Sequence, residues 1–334
     1  MEIHSGMNFL RRLALPSLLS TSFVASQQSE TIARRFISMN KNANPLIGGD
    51  EALRVYNANT HKFICSTWRM GKKEGCRNEF DAEKIPGSVY FDIEEISDKS
   101  SSLPHMLPTA EEFNRHMNLM NININDDLVM YVHENSFGGP RVWWSFKVFG
   151  HKGNVMILDG GLKEWKNVNG PIDIPSARIT KNAVNTNKDE SGYNAILNKK
   201  MVVNSQDVLK VVETGSSQIV DARSLQRFRG EAPEPRPGLV SGHIPGSLCL
   251  PFTSIVTEED HSKFRSKLEI RDAFVNCGLI FGANTIFSCG SGVSAAILAL
   301  GMNIIGKDLE SCPIYDGSWS EWGQPSNDLP KTTK

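Results

Sequence analysis

Apolar residues along the chain fall into short runs separated by turn signals, and the runs come in two sets with one internal order. The first set is KFICSTW (62–68), DLVMYVHE (127–134) and VMILDG (155–160). The second is QIVDAR (218–223), NTIFSCG (284–290) and CPIYDG (312–317). Short apolar runs between turn signals predict strands. Longer apolar segments follow the middle strand of each set, RVWWSFKVFG (141–150) and SAAILALGMNIIG (294–306). Each predicts a mostly apolar helix. A more polar helix is predicted from Thr109 to Met120, with Thr109 as N-cap and Glu111 and Glu112 in the first turn. Strands alternating with helices predict an α/β class.

Two motifs confirm that the halves are copies of one plan. Ile85-Pro86-Gly87-Ser88 recurs as Ile244-Pro245-Gly246-Ser247, and Asp159-Gly160 with Trp165 recurs as Asp316-Gly317 with Trp322. The same motifs in the same order point to a tandem repeat rather than coincidence. The expected organisation is a leader over 1–44, a first domain over 45–165, a polar connector over 166–200, a second domain over 201–326 and a tail over 327–334. A length of 334 residues suits two cores rather than one. The leader is poor in acids and rich in Arg and Ser, which resembles an organelle transit peptide, with RRFIS offering a cut after Phe36. That reading places the protein in the mitochondrion, with plastid and cytoplasm as alternatives.

A formal net charge of -1 gives no long-range field to attract nucleic acid or an anionic membrane. No stretch reaches the roughly 20 apolar residues that a membrane-spanning helix needs. The six cysteines form no CxxC and no disulfide-scaffold pattern, so free thiols are expected. One of them stands apart. In Phe287-Ser288-Cys289-Gly290-Ser291-Gly292-Val293-Ser294 a strand ends, a glycine-containing loop follows, and a helix begins. Backbone N–H groups of such a loop and a helix N-terminus favour negative charge on sulfur. The expectation is a thiolate nucleophile in a cradle able to hold an anionic persulfide. Cys65, Cys249 and Cys312, in apolar runs, and Cys277 read as structural thiols, and Cys76, in a charged stretch, as an exposed one. The matching turn of the first repeat, Tyr131 to Pro140, has no cysteine, so that repeat is expected to supply wall residues to a site between the two.

With these residues in view, the chain resembles the rhodanese superfamily, and within it the two-domain mercaptopyruvate and thiosulfate sulfurtransferases. The likeness covers roughly 46–325 and rests on IPGSVYFDIEE, LPHMLP, PRVWWSFKVFGH, LDGGLKEW, VDARS, RFRGEAPEPRPG, SGHIPGS, CGSGVSA and YDGSWSEW. The resemblance implies two tandem rhodanese-like domains, each a mainly parallel sheet flanked by helices, with Cys289 as nucleophile and Gly290, Ser291, Gly292, Val293 and Ser294 as its cradle. It implies Arg227 and Arg236 as the pair that holds the substrate carboxylate and keto group, a task suited to guanidinium donors. It also implies a proton relay through Ser291, His105 and Glu94. Arg223 and Arg229 read instead as surface charges or ion pairs. The loop CGSGVS is uncharged, as in members that take 3-mercaptopyruvate, whereas members that take thiosulfate carry basic residues there. No cofactor and no metal is implied, and the acceptor is cyanide or a thiol, including a thioredoxin-like reductant. The chain departs from the family at Ser294, where Thr is commoner, at Glu94, where some members have Asp, and at Cys65, which replaces an acid.

Three rival readings remain at this level. Thiosulfate as donor is opposed by the neutral loop. A non-catalytic binding module fits the first repeat but not the second. A phosphatase needs an arginine within the loop, and none follows Cys289 before the helix.

Overall fold

The computed structural model of the chain describes residues 44–71, 73–175 and 192–333. The expected leader with its cut after Phe36, and the middle of the 166–200 connector, lie outside the described residues.

The first repeat runs β1 (Leu46–Ile47), α1 (Gly49–Asn57), β2 (His61–Cys65), α2 (Lys73–Ala82), β3 (Val89–Tyr90), α3 (Ala110–Leu119), β4 (Asp127–Tyr131), α4 (Gly139–Val148), β5 (Val155–Leu158) and α5 (Gly161–Asn167). The second runs β6 (Val202–Val203), α6 (Ser205–Thr214), β7 (Gln218–Asp221), α7 (Leu225–Phe228), β8 (Leu248–Cys249), α8 (Lys267–Asn276), β9 (Thr285–Ser288), α9 (Ala295–Ile304), β10 (Ile314–Tyr315) and α10 (Ser318–Trp322). The two sheets have the same parallel order, β1-β5-β4-β2-β3 and β6-β10-β9-β7-β8. The registers also match, with Cys65 beside Tyr131 in one sheet and Asp221 beside Ser288 in the other.

The repeated motifs do the same physical work twice. In each IPGS turn the serine amide bonds to the isoleucine carbonyl, and Gly87 and Gly246 adopt φ values of 76° and 74°. Only glycine takes that conformation without steric cost. The closing tryptophans, Trp165 and Trp322, are fully buried and donate from Nε1 to the carbonyls of Pro171 and Pro330. α3 is capped by Thr109, as expected, and α8 by Ser266 with Glu269 in a reciprocal capping box.

Each sheet has its own core on one face, around Phe63, Val129 and Trp165 in the first repeat and Ile219, Ile286 and Trp322 in the second. A larger core on the other face unites both repeats, with Trp143, Trp144 and Phe146 of α4 and Ile297, Leu298 and Leu300 of α9 in one cluster. Both helices are buried on nearly every side, which explains their mostly apolar composition. Burying each such large side chain is worth about 1.5–3 kcal/mol. Residues Tyr193 and Ala195, within the expected connector, are buried, with Tyr193 stacked on His151 at a centroid distance of 5.8 Å.

Cys76 corrects an expectation. It is only 2% exposed rather than an exposed thiol. On α2, Cys76 and Phe80 are four residues apart and share the buried face, while Arg77 and Asp81 pair on the solvent face. The surrounding charges are neighbours in sequence but not on the helix surface.

Candidate active site

Cys289 follows the last residue of β9, and its loop leads into α9. It is 2% exposed. The loop is held open from behind by Ser318, whose Oγ accepts the amides of Cys289 at 3.1 Å and Gly292 at 3.2 Å and donates to the Tyr315 carbonyl at 2.7 Å. Ser320 bonds the Gly290 carbonyl through its amide and its hydroxyl. The amides of Gly290, Ser291, Val293 and Ser294 have no acceptor among the described residues. Four donors left free in one tight loop form a nest suited to an anion. Gly292 takes φ 75°, and a methyl group there would lie 2.7 Å from Arg141 Nη1 and 3.0 Å from Asp316 Oδ1. Val293 is buried in the shared core and Ser294 is the N-cap residue of α9.

The first repeat contributes through the loop before α3. His105 Nδ1 lies 3.0 Å from Ser291 Oγ, and His105 Nε2 lies 2.8 Å from Glu94 Oε1. Trp68 donates to the same Glu94 oxygen at 2.9 Å and stands edge-on to the His105 ring at 5.1 Å. The hydrogen-bond directions follow from the partners. A carboxylate only accepts, so Nε2 carries a proton, and in the neutral ring Nδ1 is left to accept from the Ser291 hydroxyl. Arg236 Nη2 donates to Ser291 Oγ at 3.2 Å, which leaves that hydroxyl hydrogen free to point at the ring.

Two arginines converge on the loop. A methyl group at Gly290 would sit 3.2 Å from Arg227 Nη2 and 3.7 Å from Arg236 Nη1. They differ in how their charge is met. Arg227 pairs with Glu234 at 2.5 Å, and the same buried carboxylate accepts from Arg223 at 2.8 Å. Arg223 also pairs with Asp221 at 2.6 Å and has no exposed side-chain surface, so it is an ion pair rather than a surface charge, while Arg229 is exposed. Arg236 has no carboxylate within 4.0 Å among the described residues, and burial pulls its affinity for the proton below the usual arginine range. A part-buried cation with no carboxylate in contact is costly, and an anionic ligand relieves that cost. Beside Arg236 opens a cavity of about 340 Å3, walled by Leu103 and Pro104 of one repeat and Leu239 and Gln324 of the other.

At the matching turn of the first repeat the chemistry is different. Cys65 stands where Asp221 stands in the second sheet, and Thr67 and His133 hold it in a buried network, with Thr67 Oγ1 2.8 Å from His133 Nδ1. Burial pushes the Cys65 thiol up to about 11 and Cys249 up to about 12, and raises Cys76, Cys277 and Cys312 as well. Those five thiols stay protonated near neutral pH.

The structure therefore brings together Cys289, Ser291, His105, Glu94, Arg227 and Arg236 around one loop. Sequence reasoning missed Ser318, Trp68, Glu234 and the buried pair Arg141–Asp316. One signal was available: Arg141 is a cation in the first turn of a mostly apolar helix, a position that calls for a partner once the helix is buried.

Comparison with known proteins places both halves of the chain in one family. The rhodanese-like domain family matches residues 76–168 and again 204–325. The 3-mercaptopyruvate sulfurtransferase of Escherichia coli is 39% identical over 251 residues, covering 74% of this chain and 82% of its own length. Thiosulfate/3-mercaptopyruvate sulfurtransferase 1, mitochondrial, of Arabidopsis thaliana is 34% identical over 323 residues, covering 92% of this chain and 83% of its own length. The crystal structure of SseA from Escherichia coli superposes with a TM-score of 0.70 at 32% identity, over 84% of this chain and all of that one. Two five-stranded parallel sheets, a cysteine loop closing one of them, and family matches over both halves make this chain a member of the rhodanese family of sulfurtransferases.

Proposed function

We propose that the chain transfers sulfur from 3-mercaptopyruvate through a persulfide on Cys289. The observation that carries this reading is the convergence on Cys289 of four loop amides with no acceptor, and an arginine with no carboxylate within 4.0 Å, among the described residues. Arg236, with Arg227 beside it, takes the carboxylate and keto oxygen of the donor. The Cys289 thiolate attacks the donor sulfur, the carbon–sulfur bond breaks, and its electron pair leaves on carbon as pyruvate enolate. The enolate takes up a proton, which Ser291 and His105 are placed to relay, with Glu94 orienting the ring. The outer sulfur of the persulfide then rests against the free amides until an acceptor removes it. Cyanide leaves as thiocyanate. A thiol acceptor, such as a thioredoxin-like reductant, forms a persulfide that a second thiol reduces to hydrogen sulfide and a disulfide.

The uncharged loop favours 3-mercaptopyruvate over thiosulfate, because a dianion gains less where no loop side chain is basic. The first repeat serves as scaffold and supplies His105 and Glu94. The leader directs the chain to the mitochondrion, in keeping with the mitochondrial name of one Arabidopsis relative. The test compares kcat/KM for 3-mercaptopyruvate and thiosulfate, with cyanide as acceptor, on protein beginning at residue 45. A large preference for 3-mercaptopyruvate is expected. A preference for thiosulfate overturns the donor assignment, and turnover of neither overturns the enzyme.

A further inference from the structure

Arg141 and Asp316 form an ion pair of 2.6 Å between the repeats, with side chains 3% and 4% exposed. Each partner also holds backbone of the active site. Arg141 Nη2 donates to the His105 carbonyl at 2.5 Å, and Nη1 reaches the Gly292 carbonyl at 3.3 Å. Asp316 Oδ2 accepts the amide of Leu107, two residues after His105, at 2.7 Å. The pair thus grips both sides of His105 and one carbonyl of the cysteine loop. His105 itself sits at φ 62°, a left-handed conformation that a non-glycine residue keeps only when its surroundings impose it.

The tandem repeat supplies an internal comparison. Asp159 is the counterpart of Asp316, and it accepts the amide of Phe264 at 2.8 Å just as Asp316 accepts that of Leu107. Leu107 and Phe264 each lie two residues before the N-cap of the following helix. Asp159 has no arginine partner among the described residues, and burial raises its carboxyl above the usual range. The position matching Arg141 at the start of α9 is Ile297. One of two pseudo-equivalent contacts has therefore acquired an arginine, and it is the one beside His105 and Cys289.

We propose that Arg141 and Asp316 are positioning residues that set His105 against Ser291 across the repeat boundary, and that they act on turnover through His105. The inference rests on the relay proposed above. Without the grip, the His105 loop relaxes from its left-handed conformation and the 3.0 Å contact to Ser291 lengthens. Donor binding depends on Arg227 and Arg236, which touch neither residue of the pair in any described hydrogen bond.

The experiment is a double-mutant cycle between Asp316→Asn and His105→Asn, with kcat and KM for 3-mercaptopyruvate measured per folded molecule. Asp316→Asn keeps the size of the side chain and an acceptor for the Leu107 amide while removing the charge that holds Arg141. Each single variant is expected to lower kcat about tenfold or more with KM within roughly twofold of the parent. The double variant is expected to be no slower than the slower single one. Asp159→Asn is expected to leave kcat unchanged. Should Asp316→Asn fail to fold, Arg141→Lys, which keeps the charge but has one donor head in place of two, replaces it in the cycle. Effects that multiply in the double variant overturn the inference, as does an Asp159→Asn loss equal to that of Asp316→Asn. Parental turnover in His105→Asn removes the relay itself and the inference with it, and leaves the role of Cys289 standing.

Discussion

Arg227 and Arg236 both stand beside the cysteine loop but are predicted to differ as ligands for the donor. Arg227 shares the buried carboxylate of Glu234 with Arg223, at 2.5 Å and 2.8 Å, and Asp221 completes the cluster. Two cations and two carboxylates leave little net charge to attract an anion. Arg236 faces no carboxylate within 4.0 Å among the described residues. A charge-assisted hydrogen bond to an ionised donor contributes about 1.5–3 kcal/mol, so Arg236→Gln should cost about 10–150-fold in kcat/KM. Arg236 is partly exposed, which places the expectation in the lower half of that range. Arg227→Gln leaves Glu234 paired with Arg223 and should cost roughly 3–10-fold. The assay is the initial rate of pyruvate formation with cyanide as acceptor, with exposed Arg229→Gln as control. An Arg227→Gln loss equal to or greater than that of Arg236→Gln refutes the charge argument.

Three further predictions follow from burial and backbone geometry. Because burial raises the other five thiols, iodoacetamide at pH 8 should label Cys289 first, and peptide mapping that finds Cys65 or Cys249 labelled at the same rate contradicts this. Burial lowers His151 to about 4, with Nε2 bonded to the Asp126 carbonyl and Nδ1 to the Tyr193 hydroxyl, so the folded state holds it neutral. The unfolded chain binds that proton first, so the contribution of this group is complete above about pH 6.5 and up to about 3 kcal/mol is lost as pH falls toward 4; a Tm that is flat over that window contradicts it. Gly292→Ala must hold φ 75° with a methyl 2.7 Å from Arg141 Nη1, and should lose about 1–3 kcal/mol in denaturant unfolding along with turnover, where parental stability would contradict the steric argument.

Local pattern carried the strands, the buried helices α4 and α9, the IPGS turns and the cysteine loop, because each is a property of adjacent residues. Cys76 escaped because charge in sequence is not charge on one face: a period of 3.6 separates Cys76 and Phe80 from Arg77 and Asp81. Arg141 and Asp316 escaped for another reason. They are 175 positions apart, and no local periodicity links them. The same holds for Ser318, whose hydroxyl lies 29 positions from the Cys289 amide it accepts. Glu234 lies only 7 and 11 positions from Arg227 and Arg223, but the irregular segment leading to Glu234 carries no helix or strand period. His105 and Glu94 follow from family likeness alone, and the contact of His105 with Ser291 exists only where the two repeats pack together.

The central claim is that Cys289 carries the sulfur. Its most direct test is the intact mass of the protein after incubation with 3-mercaptopyruvate and no acceptor, followed by peptide mapping. One added sulfur atom on Cys289, removed by cyanide and absent from Cys289→Ser, is the predicted result. Added sulfur on another residue, or full sulfur transfer by Cys289→Ser, would contradict the account.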